Sequence, residues 1–171
     1  MLKKLSLVAL MTVGASVTIT ATEFMDASWA KSTCDAWNKN ATLTNKLGKW
    51  SSNDKKRGYK IIQIYRTECG KSSKIQLNIS NKNGKAICTY GGKPDGKKVN
   101  TDVDYVMHAS DKDWTCIGKG SFGCGAMGAM ASGKLKFSGP KMEAMSVMGP
   151  FEAFLKLTGK VASTKSKNCP K

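Results

Sequence analysis

The sequence predicts an α+β domain in which a mainly antiparallel sheet is covered by helices. Three observations carry this. Between residues 59 and 109 four strand-like segments are separated by turn signals, and in two of them, 74–80 and 102–109, apolar residues recur at every second position, the pattern of half-buried strands. From residue 110 the apolar spacing changes to three and four, in short segments punctuated by glycine. An apolar leader precedes all six cysteines, which points to a disulfide-braced exported domain. A chain of 171 residues is long enough for one domain with its own core.

Taken in order, Lys3 and Lys4 form a basic start, and residues 5–21 are apolar and uncharged. Ser28 and Ala30 flank Trp29 with small residues, so residues 1–30 read as a signal peptide cleaved after Ala30, with Ala21 as a second site. The folded unit is then expected over residues 31–171. Residues 31–57 supply a helix and a polar loop, the helix spanning 32–50 with Asp35 near its start and Trp37, Ala41, Leu43 and Leu47 on its apolar side. Asn40 and Asn78 head glycosylation sequons that matter only in a eukaryotic host.

Strands are expected over 59–66, 74–80, 85–90 and 102–109. Asn83-Gly84 is a hairpin turn signal between the second and third. Ser110-Asp111-Lys112-Asp113 matches a capping box opening a helix that carries Trp114 and Ile117 and ends at Gly118 and Gly120. A short helix follows over 124–131, then a strand over 133–139 with Leu135 and Phe137 inward. Pro140 opens a helix bearing Met142, Met145 and Met148, which Gly149-Pro150 breaks. A last helix carries Phe151, Phe154 and Leu155 and stops at Gly159, leaving a polar tail over 163–171.

The formal charge of +16 rests almost wholly on lysine, since Arg57 and Arg66 are the only arginines. Lysine lacks the bidentate fork of arginine, so this charge suits an anionic membrane surface more than base or carboxylate recognition. Nucleic acid is not an expected partner, because export, scarce arginine and the lack of a basic–aromatic motif argue against it. Cys34, Cys69, Cys88, Cys116, Cys124 and Cys169 allow three disulfides, for which Cys116–Cys124 and Cys34–Cys169 are the expected pairs. Ligand-pair spacings for a metal are absent and His108 is the only histidine, so neither a metal nor another cofactor is expected.

Residues 124–161 hold five of the nine methionines. Methionine is flexible and polarizable, so it fills either an ordinary core or the wall of a pocket that adapts to apolar ligands. Here the sequence resembles the sterol carrier protein 2 (SCP2) sterol-binding family. The matching pieces are Thr101-Asp102-Val103-Asp104-Tyr105-Val106 leading into Ser110-Asp111-Lys112-Asp113-Trp114, then Gly118-Lys119, residues 126–131, and Ser132-Gly133-Lys134-Leu135-Lys136-Phe137-Ser138-Gly139 with Met142 and Ala144. The resemblance spans residues 58–161 and implies a five-stranded mixed, mainly antiparallel sheet, covered by helices that enclose a hydrophobic tunnel.

It further implies a lipid-binding domain over 58–162 that carries a sterol, fatty acyl chain or phospholipid without chemistry. By position, Met127, Met130, Leu135, Phe137, Met145 and Met148 line the tunnel, with Trp114 and Ile117 before them. Phe151, Phe154 and Leu155 lie on a closing helix, for which Gly149 and Gly159 are candidate hinges. The expected protein is an exported, periplasmic or secreted monomeric lipid carrier that touches anionic membranes transiently. The alternative is a basic, disulfide-stabilised periplasmic interaction or structural module with a collapsed cavity. An enzyme is not expected: Asp102 and Asp104 read as the polar face of an exposed strand paired with lysines, and His108 as a surface residue opposite Met107.

Overall fold

A computed structural model describes residues 22–166, 169 and 170. The chain runs α1 (Ala27–Asn38), α2 (Ala41–Lys46), α3 (Gly48–Ser52), β1 (Lys60–Arg66), β2 (Ile75–Lys82), β3 (Lys85–Gly92), β4 (Tyr105–Ala109), α4 (Asp111–Lys119), α5 (Ala126–Ala131), β5 (Lys136–Ser138), α6 (Lys141–Ser146) and α7 (Met148–Lys160). The sheet order is β3-β2-β1-β4-β5. β1 and β4 pair in parallel, with Ile62 opposite Tyr105 and Ile64 opposite Met107, and the remaining pairs are antiparallel. The five-stranded mixed sheet is therefore the expected one.

Local chemistry sets several boundaries. Asn83 and Gly84 both adopt positive φ, as a tight hairpin turn demands. The Ser110 hydroxyl caps α4 by accepting from the Asp113 amide at 3.1 Å, and left-handed Gly120 ends it. The expected single helix over 32–50 is three short ones, because the Asn40 side chain accepts from Thr42 and Leu43 amides and starts a new helix. The break expected at Gly149-Pro150 falls instead at Val147. Pro150 fits in the first turn of α7, where its missing N–H has no helical acceptor.

The folded unit begins before Lys31. Phe24, Met25, Trp29 and Ala30 are buried, and Phe24 meets Trp29 edge-on at 5.2 Å. Asp26 caps α1 through the Trp29 amide at 2.6 Å. Small residues beside Trp29 mimic a cleavage signal locally, but the indole belongs to the core. The basic start and the apolar run to Ala21 lie outside the described residues. Among the described residues no helix is long and apolar enough to cross a membrane.

Both arginines act inside the fold. Arg66, almost fully buried, holds Asp111 through Nε and Nη2 at 2.7 and 2.6 Å, Glu23 at 3.0 Å and the Ser166 carbonyl at 2.8 Å. It thus fastens the first and last described segments to α4. The disulfides are Cys34–Cys88, Cys69–Cys169 and Cys116–Cys124. The expected Cys34–Cys169 pair does not form. α1 lies on β3, which puts Cys34 beside Cys88, and the tail meets the turn after β1.

The space between sheet and helices is filled rather than hollow. Trp37 packs 5.6 Å from Phe154 and 6.4 Å from Trp50, and Tyr105 lies 5.4 Å from Trp50 and 5.2 Å from Phe151. Aromatic residues from α1, α3 and α7 therefore occupy the region where an enclosed tunnel was expected. α4 and α7 cross with Gly118 against Gly159: a Cβ on Gly159 would lie 2.6 Å from the Gly118 backbone. That contact packs the end of α7 tightly against α4.

Candidate functional site

An apolar groove lies at the β5 edge of the sheet, with a volume of about 450 Å³. Its wall is Met127, Met130 and Ala131 of α5, Gly133, Leu135, Lys136 and Phe137 on and before β5, Lys141 and Met145 of α6, and Met148. The volume lies within the roughly 300–1,000 Å³ of small-molecule sites. Six expected ligand-contacting residues come together here: Met127, Met130, Leu135, Phe137, Met145 and Met148. The other five do not reach it. Trp114, Ile117, Phe151, Phe154 and Leu155 are buried in the core, and the Trp114 indole donates to the Tyr65 carbonyl at 3.1 Å.

The helices flanking the groove invert the usual core pattern. In α5 and α6 the alanines Ala126, Ala129 and Ala144 are buried, whereas Met127, Met142 and Met145 are 54%, 80% and 50% exposed. Small residues seat each helix on the protein and the long flexible thioethers face outward. Ordinary core packing places large apolar residues inward; here Met127 and Met145 stand in the groove wall, and Met142 is exposed outside it. The open side of the groove makes it a cleft, not an enclosed tunnel.

Behind α6 lies a second constellation that the sequence pattern does not show. Lys60 sits on the core face of β1, wholly buried, with Nζ 2.6 Å from Glu143 Oε1 of α6 and 4.3 Å from the centre of the Trp50 ring. The Tyr105 hydroxyl donates to the same Oε1 at 3.0 Å and accepts from the Trp50 indole at 2.8 Å, and Asn53 Nδ2 donates to Oε2. Burial pushes the Lys60 pKa down, against the Glu143 carboxylate that raises it. Burial, aided by Glu143, pushes the Tyr105 phenol up. Glu143 also faces a cleft of about 450 Å³ on the far side of α6, lined by Lys46, Lys49, Trp50, Asn53, Ser146 and Val147. Lysine at alternation-matched position 60 looks like an exposed strand residue; only the pairing with α6 brings it a carboxylate.

The reading of Asp102 and Asp104 as the polar face of an exposed strand paired with lysines does not hold for Asp104. Asp102 is exposed in a turn before β4, while Asp104 is fully buried. Arg57 grips Asp104 through Nη1 at 3.0 Å and Nη2 at 2.6 Å, and the amides of Ile61 and Asn100 each donate to it at 2.7 Å. Its partner is thus a half-buried arginine rather than surface lysine, since the chain turns inward just ahead of β4. His108, half-buried on the sheet face opposite Met107, stacks on Tyr65 at 4.6 Å and bonds Thr67 Oγ1 at 2.9 Å. Among the described residues no cluster of His, Cys, Asp and Glu could hold a metal ion.

Comparison with known proteins bears on this arrangement. The description of the SCP-2 sterol transfer family matches residues 40–152. A crystal structure of sterol carrier protein 2 superposes with a TM-score of 0.53 at 16% identity, over 82% of this chain and 100% of that one. Sterol carrier protein 2 from Yarrowia lipolytica, in its apo form, gives 0.43 at 17%, over 84% and 98%. The UbiJ-SCP2 ubiquinone synthesis protein gives 0.41 at 11%, over 77% and 92%. No curated protein matches the chain significantly.

Proposed function

The chain belongs to the SCP-2 sterol transfer family, and from that premise we propose that it is an exported lipid carrier working without catalysis. The observation that supports this best is the methionine-lined groove, in whose wall Met127 and Met145 stay half exposed where a core would turn them in. A hydrocarbon ligand laid there loses its water contact, at about 25 cal/mol for each Å² covered. The leader sequence and three disulfides favour a periplasmic or secreted setting. Docking on anionic membranes fits the lysines at the groove, Lys136 and Lys141, each contributing about 1 kcal/mol near such a surface. Phe122, fully exposed in the loop closed by Cys116–Cys124, and Met142 stand ready to enter the headgroup layer.

The test is native mass spectrometry of purified protein after incubation with mixed-lipid vesicles, alongside Met130→Lys. Wild type is expected to carry lipid and the variant to lose at least about tenfold in loading, because a charge would then sit in the apolar wall. Wild type without lipid, or equal loading of both, would refute the carrier. The aromatic filling between the layers favours one second reading, a basic interaction module on the same fold, and a lipid-free wild type would leave that one standing.

A further inference from the structure

The sheet has a second face, turned away from the helices. Residues 93–104, which cross from β3 to β4, cover its β1–β2 part: Asp95 accepts from Gln76 Nε2 and Asn78 Nδ2 at 2.8 and 2.9 Å, and Val103 is buried. The β4–β5 end is left open. There Val106 and His108, alternating with the core residues Tyr105 and Met107, are half-buried, and Lys136 and Ser138 are exposed. A pocket of about 290 Å³ lies on this end. Tyr65, Val106 and Phe137 give it an apolar part, and His108 and Ser138 add a ring and a hydroxyl. Lys71, Lys74 and Lys136 supply its charge.

Lys60, Lys97 and Lys156 are each paired with a carboxylate. Among the described residues no carboxylate bonds Lys71, Lys74 or Lys136, and Glu68, close to Lys71 in sequence, is turned to the Asp111 amide at 3.0 Å. Three like charges around one pocket repel one another, and a multiply charged anion relieves that repulsion. We propose that this pocket binds a phosphate monoester with a compact apolar body, its phosphoryl oxygens on Lys71, Lys74, Lys136 and the Ser138 hydroxyl and its body against Val106 and Phe137. A phosphate monoester brings a charge of about −1.5 to −2, whereas a carboxylate would leave two of the three lysines uncompensated. The site does not rest on the lipid reading of the methionine groove. His108 is coupled to it. Nδ1 bonds Thr67 Oγ1 at 2.9 Å, and Nε2 has no partner among the described residues. Tyr65 of β1, Thr67 and Lys71 of the segment after it, and Lys136 of β5 face the ring. Burial, Lys136 and Lys71 hold the ring below its ordinary pKa. A bound phosphate offsets the two lysines, so the pKa rises and binding takes up a proton.

The experiment is an NMR titration of the purified protein with phenyl phosphate, with phenol as the uncharged probe. His108 is the only histidine, so its ring resonance is read without assignment. Phenyl phosphate is expected to shift that resonance saturably and to raise the His108 pKa; phenol is expected to do neither. The double variant Lys71→Gln, Lys136→Gln is expected to bind at least about tenfold more weakly, since each charged donor contributes a charge-assisted bond. Lys160→Gln, at the end of α7, is expected to bind as wild type does. If the double variant does not fold, each single substitution is expected to weaken binding by about threefold, and no loss in either overturns the site. Equal affinity in a folded double variant, or phenol bound as well as phenyl phosphate, overturns it too. Binding only to phosphatidylcholine vesicles that contain phosphatidic acid, with no response to phenyl phosphate, would overturn the free monoester as the ligand.

Discussion

Replacing Asp104 by Asn is expected to destabilise the protein by about 3 kcal/mol, a figure that follows from the four bonds its carboxylate accepts. Oδ1 receives Arg57 Nη2 and the Ile61 amide; Oδ2 receives Arg57 Nη1 and the Asn100 amide. An asparagine keeps one oxygen and turns an NH₂ group toward the other two donors. In either orientation a backbone amide and one guanidinium nitrogen then face a donor at a fully buried site. Each unsatisfied donor costs about 1–3 kcal/mol, and separating a buried ion pair about 3–5 kcal/mol. Arg57 is 19% exposed, so water recovers part of its solvation and the low end of that range applies. For a domain of this size about 3 kcal/mol lowers Tm by about 6–12 °C. Urea unfolding followed by tryptophan fluorescence measures it, with exposed Asp102→Asn as the control, expected to stay within about 0.5 kcal/mol of wild type. Equal stability of the two variants would refute the structural role assigned to Asp104.

Opposite signs are expected for two glycines of α7. Gly159→Ala drives a methyl into the Gly118 backbone and should cost about 1–3 kcal/mol, while Gly149→Ala meets open space and should gain about 0.5–1 kcal/mol; denaturant midpoints will tell them apart. A chain starting at Thr22 should give a cooperative thermal transition, and one starting at Lys31 should not. The shorter chain lacks Phe24 and Trp29, worth about 3–5 kcal/mol each against a net stability of about 5–15 kcal/mol. His108, lowered by burial and by Lys136 and Lys71, should titrate by NMR below the ordinary value of about 6.5. With the folded pKa depressed, its neutral form is the stabilising one, and that contribution is lost as pH falls through the interval below about 6.5.

Much of this fold is written locally. Alternation marks the strands because successive side chains point to opposite faces, and Asn83-Gly84 and Ser110 set a turn and a cap through their own backbone and side-chain chemistry. The six methionine-groove residues were legible through the family resemblance, which places them by their position along the chain. Spacing alone could not say whether those methionines met the core or the solvent.

Local pattern thus settles most of which segments are helix or strand and which face of each is apolar. Which faces meet is settled by the folded chain alone. The parallel β1–β4 pairing joins residues about 43 positions apart, and no periodicity encodes such a partner. The same holds for Cys34 with Cys88, for Lys60 with Glu143, and for Asp104 with Arg57. Trp29, Trp37 and Trp50 look like ordinary residues of a leader and a helix, yet the aromatic core they help build fills the space between the layers. Volume is shared among distant segments and must be filled once, and the methionine groove stays open at the edge of the sheet.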